Sequence, residues 1–503
     1  MKKLVKHLFL TFFIVIIAVA CDPENVIEHE TVKGKTETAS DYVWDDSNVK
    51  TITLNGTSIS SSSTDVTING TTATITAAGY YLIKGSLTNG QLVINAPKAK
   101  MKIMLDGVTI SNSTSSPFNI LDATKVILFL KSGTINTFTD AFTYTNPEEL
   151  KSVISSEAYL GITGEGTLNI NGNFNDGISC DDPVVINSGT INVNAIDDAI
   201  RSKDYVLVHN GNITATSITG HALKADSTVS VGKGYVKIDG GNFTLSSALG
   251  DGIHTYKRAI IENGTFAINA EESQAIKSDS SVLISGGTIN VTATKTGIES
   301  PFIAITGGTT SLTTTKTAIS ASYGNAPTVA DSSTLSISGG KLYINALSHA
   351  IFSNGNIGIS GGTTVVQGPS SSSKLMVNYL GEFAITNGLF IGAGPNAGSL
   401  IKGFSTTSTQ NSVKISSSFI GTNLINIQDA SGNSVATFKP LRTAYYLVFS
   451  SPSLATGTTY SIYTGGSYSG GTIVNGFYSG GTYTLGTQKA TFTPATKVTS
   501  VSF

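Results

Sequence analysis

Two cysteines in 503 residues, Cys21 and Cys180, are too few for a disulfide framework. Charge is scarce too: Asp, Glu, Lys and Arg make up 13% of the chain, against about a quarter in ordinary globular proteins. Acids outnumber bases, 33 to 31, so the chain lacks the basic footprint that nucleic-acid phosphates require. Past Cys21 no apolar run reaches the roughly 20 residues a spanning helix needs. Gly, Ser, Thr, Asn and β-branched residues take the place of the missing charge. With 40% apolar residues that alternate with polar ones, this composition indicates a large all-β protein rather than a disordered one.

The first twenty residues read as an export signal. Lys2, Lys3 and Lys6 precede the apolar run Leu8 to Ala20, and Ala18-Val19-Ala20-Cys21 is similar to a bacterial lipobox. The expected chemistry is cleavage before Cys21 and lipidation of its thiol, which gives an exported chain anchored to the outer membrane or cell surface by lipid only. Removal of residues 1–20 takes away three Lys, leaving 28 bases against 33 acids and a net charge of −5. Cys180 is then a lone thiol, expected as a small buried core residue.

Internal repetition decides the fold class. A Gly-Gly-Thr-Ile type turn recurs with its second glycine at Gly189, Gly211, Gly241, Gly264, Gly287, Gly308, Gly340 and Gly362. The intervals are 22, 30, 23, 23, 21, 32 and 22 residues, so the unit is about 22 and two units carry insertions. Each unit holds three short strand-like pieces, as in Gly177 to Cys180, Val184 to Ile186 and Thr190 to Val193. Such a unit cannot bury its own apolar face, but stacked on copies of itself it forms a continuous core. The expectation is a right-handed parallel β-helix with an inward column of Ile178, Ile200, Leu223, Ile253, Ile276, Ile298, Ile319 and Ile351. Propeller blades need about 40 residues and four strands, and sandwich strands do not recur at a fixed interval. The chain divides into a signal peptide (1–20), a tether (21–45), the β-helix (46–400) and a C-terminal β cap or small β domain (401–503), which would cover the exposed sheet edge.

This register sorts the charged residues into columns. Two positions before the inward aliphatic stand Asp176, Asp198, His221, Asp251 and Gln274; one position after it stand Ser179, Arg201, Lys224, His254, Lys277 and Glu299; three after it, Asp181, Lys203, Asp226, Tyr256 and Asp279. Acids and bases should therefore interleave on one edge. The acids Asp176, Asp181, Asp182, Asp197, Asp198, Asp204 and Asp251 fall on neighbouring rungs, where like charges about 5 Å apart repel unless neutralised. Calcium, with six to eight oxygen ligands in flexible geometry, suits such a cluster. Arg201, Lys203, Lys224, Lys277 and His254 beside it are candidates for holding an anionic ligand, a uronic-acid polymer above all. The bland alternative is a solvated face in which Arg201 and Lys224 balance Asp198 and Asp226.

Four segments carry a resemblance to a known family: Asp41-Tyr42-Val43-Trp44-Asp45 leading into Thr51 to Gly56; Gly164 to Leu168 leading into Asn175 to Ile178; Asp198 to Val206; and the tail repeats Tyr463-Thr464-Gly465-Gly466-Ser467-Tyr468 and Tyr478 to Tyr483. Together the chain resembles a bacterial family of calcium-binding, carbohydrate-binding β-helices with a pectate-lyase-like fold. That resemblance implies several bound calcium ions at Asp176, Asp181, Asp182, Asp198, Asp204 and Asp251. It further implies binding of acidic or cellulosic polysaccharide without known cleavage. His221, where an Asp-Gly turn is expected, and Glu157-Ala158-Tyr159 depart from the pattern. Three functions stand open: a monomeric polysaccharide-binding lipoprotein, a calcium-dependent lyase using Arg201 or Lys224 as base, and a non-enzymatic adhesin or spacer.

Overall fold

The computed structural model describes residues 37–146, 151–228, 232–324 and 329–503. The expected signal peptide, Cys21 and residues 21–36 of the tether lie outside the described residues. Three short strands per unit, separated by turns, build a three-faced parallel solenoid. In one rung the first face carries Asp176–Cys180, the second Val184–Ile186 and the third Thr190–Ala195; the next rung repeats them as Ile200–Ser202, Tyr205–Val208 and Asn212–Ser217. Each strand pairs in parallel with its counterpart one rung on. Among the described residues there is no α-helix, only the 3-10 turns Ala39–Tyr42 and Gly398–Leu400, and no helix long and apolar enough to cross a membrane.

The inward column has the expected register. Ile178, Ile200, Leu223, Ile253, Ile276, Ile298, Ile319 and Ile351 pair in succession, and all are fully buried. Upstream, Ile154 pairs with Ile178 and Phe118 with Ile154. The two long intervals are loops between the first and second faces, from Leu223–Ala225 to Tyr235–Ile238 and from Ile319–Ala321 to Thr334–Ile337. Glycine is required where the chain turns into the third face: Gly287 has φ +80, and a Cβ there would stand 2.7 Å from the Gly264 carbonyl oxygen one rung below. Cys180 is buried in the core beside Ala158, and burial pushes its thiol up to about 12.

Both ends of the stack are covered. At the start, Val66–Asn69 folds antiparallel onto Thr72–Ile75, the first strand of the first face. At the other end, Ala444–Ser450 pairs antiparallel with Leu389–Gly394 of the third face, ending the parallel order. A six-stranded sheet follows, over a separate core that includes Phe438, Phe449, Tyr460 and Ile462. Ser467–Ser469 and Thr482–Thr484 form a separate two-stranded sheet, whose tyrosines hold turns together: Tyr468 Oη accepts the Gly481 N–H, while Tyr483 Oη donates to Gly465 O and accepts the Gly486 N–H.

The last described part of the expected tether is packed, not free. Tyr42 and Trp44 lie against a cluster on the outside of the second face made by Phe129, Tyr159 and Tyr205, with Trp44 edge-on to Tyr80 and Phe129. Asp41 pairs with the buried Lys125, and Glu37 accepts from His209 Nε2 at 2.6 Å while Asp239 takes Nδ1 at 2.7 Å. A polar segment therefore docks because aromatic area and the pairings of Asp41 and Glu37 replace its hydration.

Candidate functional site

At the corner entering the first face the chain bends, so the N–H two positions before each inward aliphatic needs an acceptor from the neighbouring rung. The side chain at the same position one rung below supplies it. Asp176 Oδ1 accepts the Asp198 N–H at 3.0 Å, Asp198 Oδ1 the His221 N–H at 2.8 Å, His221 Nδ1 the Asp251 N–H at 2.9 Å, and Asp251 Oδ1 the Gln274 N–H at 2.9 Å. His349 repeats the arrangement with the Leu375 N–H. The next position, Gly177, Ala199, Ala222, Gly252 or Ala275 in these rungs, leaves little room: a Cβ on Gly177 would clash with Val193 and the Ala199 carbonyl. His221 thus fills the Asp position of its rung as a backbone acceptor, which explains its place in an acidic column.

The second oxygens of these carboxylates face the cationic column. Lys224 Nζ lies 2.8 Å from Asp198 Oδ2. Arg201 gives Nε and Nη2 to Asp226 Oδ2 at 2.8 and 2.6 Å, with Nη1 3.5 Å from Asp176 Oδ2. His254 Nδ1 is 2.7 Å from Asp251 Oδ2, and its ring stacks on His221 at 4.3 Å. Register places Arg201, Lys224, His254 and Lys277 side by side on successive rungs. The interleaving of acids and bases is realised as ion pairs, with Asp226 and Asp198 holding Arg201 and Lys224.

Of the seven acids singled out by sequence, the structure gathers three. Asp176, Asp197 and Asp198 bring carboxylate oxygens within 4.8 Å of one another. Asp251 stands instead with His221 and His254 in a second group of that size. Asp181 pairs with Lys203 at 2.7 Å, both about half exposed. Asp204 is buried against Lys233 and is not one of the trio; Asp182 offers its backbone carbonyl to Ser202 Oγ. The sequence columns did not reveal Lys233 or the Glu37–His209–Asp239 chain, since these partners come from a loop insertion and a distant segment.

Burial, reinforced by the neighbouring Asp198 charge, pushes the Asp176 carboxyl up to about 7, and the same two causes raise Asp197. Asp176 Oδ2 is buried and has no hydrogen-bond donor. Gly220 on the next rung leaves space over the trio, for a Cβ there would meet Asp197 Oδ1 at 2.3 Å and Asp198 Oδ1 at 2.6 Å. Arg201 and Lys224 behave in the opposite sense: burial opposes their charge, but Asp226 and Asp198 respectively outweigh it and raise both. Asp251 is lowered although burial opposes it, because His254 and His221 face it. Burial and the His254 ring lower His221 to about 4, so at neutral pH it is uncharged, accepts at Nδ1 and carries its proton on Nε2.

The carbohydrate-binding domain-containing protein family matches residues 69–318 and 281–374 of the chain, which takes in every rung of this site. A carbohydrate-binding domain-containing protein of Acetivibrio thermocellus is 36% identical over 126 residues, 24% of this chain and 44% of that protein. The match thus spans less than half of that relative. A solved structure described as the polysaccharide lyase-like protein from C. thermocellum, a gadolinium derivative, aligns with 52% of this chain and 93% of its own at 25% identity, with a TM-score of 0.40.

Proposed function

The chain belongs to the carbohydrate-binding domain-containing family, and from that premise we propose that it is a non-enzymatic binder of acidic polysaccharide, using calcium at the ionic corner of the first face. The observation that carries this reading is Asp176 Oδ2, a buried carboxylate oxygen without a donor in a three-carboxylate group. Ionised, that group carries three negative charges against the two positive ones of Arg201 and Lys224, and Arg201 is shared with Asp226 outside the group. A calcium ion held by Asp176, Asp197 and Asp198 would relieve this. Three carboxylates do not fill six to eight coordination positions, which leaves room for water and for carboxylates of a uronic-acid chain. Calcium held there would supply positive charge toward glycan carboxylates; the protein's own part is to fix Asp176 and Asp198 through backbone N–H groups and to present Arg201, Lys224 and Lys277 in a row to further carboxylates. His254 stands within that row between Lys224 and Lys277, and the exposed Lys203 lies beside it, paired with Asp181.

The protonation of Arg201 and Lys224 favours binding over lyase chemistry. A lyase base must give up its proton near neutral pH, whereas Asp226 and Asp198 respectively raise Arg201 and Lys224 and hold them charged. We place the protein at the cell surface or outer membrane, anchored through Cys21, which lies outside the described residues. The test is retention of the chain on polygalacturonate with calcium and then with EGTA, recording ultraviolet absorbance for unsaturated product. Calcium-dependent retention without an absorbance rise is expected. A steady rise abolished by EGTA would make the protein a lyase, and no retention under either condition would remove the uronate reading.

A further inference from the structure

Each rung turns from the third face into the first through a short bend, and the composition of that bend follows the residue at the corner. Where the corner residue is Asp176, Asp198, His221, Asp251 or His349, the bend before it holds one large apolar side chain: Phe174, Ile196, Ile218, Leu249 and Leu347 respectively. Where the corner residue is Gln274, Thr296 or Thr317, the bend holds none and carries charge instead, on Glu271 and Glu272, on Lys295 and on Lys316. The apolar bend therefore accompanies the corners that carry an acid or a histidine, and is missing from those that carry neither.

These side chains do not serve the core. Ile218 is 50% exposed and Leu249 57%, while the inward Leu223 and Ile253 of the same rungs are fully buried. One exposed aliphatic needs no explanation, but a row of them on successive rungs beside buried ionic groups does. Ile196, Ile218 and Leu249 make such a row. Their bends stack through backbone bonds, with the Thr219 N–H on Ile196 O and the Leu249 N–H on Ile218 O, at about 4.8 Å per rung. At one end Tyr144 of the insertion stacks on Phe174 at 4.5 Å; at the other, Glu271 and Glu272 end the apolar row. Across the corner from this rail lie first the carboxylates of Asp197 and Asp198, then the cations Arg201 and Lys224. Charge complementarity and continuity with the ionic corner define what covers the rail: a ligand anionic along one edge and apolar along the other. A flexible polyanion offers only the anionic edge. A uronic-acid pyranose offers both, because its ring C–H groups form an apolar face and its carboxylate stands at the rim.

We propose that Ile196, Ile218 and Leu249 are specificity-determining residues that seat the C–H faces of the sugar rings, so that the corner selects uronic-acid polymers over other polyanions. The inference rests on the acidic-polysaccharide reading of the corner and adds to it a contact that neither calcium nor the cations supply. Covering the exposed part of each aliphatic contributes hydrophobic free energy, and side chains carried on stacked, hydrogen-bonded bends lose little freedom when they are covered.

The test uses the full chain in calcium, with immobilised polygalacturonate as the sugar polyanion and immobilised poly-glutamate as a polyanion without rings. Wild type should prefer polygalacturonate. Ile218→Ser combined with Leu249→Ser should lower retention on polygalacturonate about tenfold or more and leave retention on poly-glutamate as it was, so that the preference disappears. Arg201→Ala should weaken retention on both. The melting temperature of the double Ser variant should match wild type, because the exchanged side chains are already half in water; a lower one would show that the aliphatics stabilise the corner and would overturn the assignment. Equal retention of wild type on both polymers, or a preference that the double Ser variant keeps, overturns the rail and leaves the polysaccharide-binding reading standing. No retention of wild type on polygalacturonate removes that reading and the rail with it.

Discussion

Replacing Asp176 by Asn isolates the electrostatic cost of the carboxylate group. The carboxyl titrates near 7 in the fold against 3.8 for the free side chain. A folded-state pKa that is raised means the folded protein binds this proton more tightly. The associated stability is complete below about pH 3.8 and is lost as the pH rises through 7. A rise of that size corresponds to about 4 kcal/mol at full ionisation, undiminished by solvent because Asp176 is 0% exposed. Asn keeps the acceptor for the Asp198 N–H and carries no charge. In calcium-free buffer near pH 8, Asp176→Asn should therefore be more stable than wild type by a few kcal/mol, and near pH 4 the two should converge. Millimolar calcium should reverse the order, since only wild type gains binding free energy on the folded side. Urea unfolding followed by circular dichroism measures all four conditions, compared by midpoints because a long solenoid need not unfold in two states. A variant less stable than wild type at pH 8 in EGTA would show that Arg201 already neutralises Asp176, and the argument for a bound cation would fall with it.

Four further outcomes follow from particular contacts. Gly287→Ala, forced into φ +80 with its Cβ 2.7 Å from Gly264 O, should cost about 1–3 kcal/mol, whereas Gly358→Ala, with nothing within 4 Å, should be neutral or slightly stabilising; their urea midpoints decide. The Cys180 thiol, buried and pushed up to about 12, should ignore a chromogenic thiol reagent in the native protein and react fully in denaturant; rapid native reaction would contradict its burial. Lys224→Ala strips the cation from Asp198 Oδ2, itself 2% exposed, and should destabilise by up to about 3–5 kcal/mol, while Lys224→Ala combined with Asp198→Asn should recover most of the loss. His209 is raised by Glu37 despite burial, and Glu37 is lowered mainly by His209. The His209 contribution is thus complete below about pH 6.5 and lost as the pH climbs through its higher folded value, and the Glu37 contribution is lost as the pH falls below its ordinary range. Fluorescence of Trp44, the sole tryptophan and packed on Phe129, should report loosening of this segment on the alkaline side; an invariant signal would mean the aromatic contacts suffice.

Repetition made the solenoid legible. A unit of about 22 residues with one aliphatic per turn leaves few ways to bury that aliphatic, so the column from Ile178 to Ile351 and the positive-φ turn at Gly287 follow from spacing alone. The same register put Arg201 beside Lys224 and opposed them to Asp226 and Asp198, because one residue's place in a repeat fixes its neighbours above and below. Burial at the corner was not legible. Asp176, Asp198 and Asp251 read as acids on neighbouring rungs in need of a neutralising charge, and only the bend of the backbone, which strands an N–H on each rung, makes them buried acceptors. The docking of Glu37 to Trp44 was equally hidden, for its partners Lys125, Tyr159 and His209 lie 84 to 172 residues away in sequence. Periodic contacts were thus determined by the sequence itself, since each repeat carries the address of the next. The contacts without a period, at the corner carboxylates and the docked segment, were decided only by tertiary structure, because burial and the meeting of distant segments depend on where the whole chain closes.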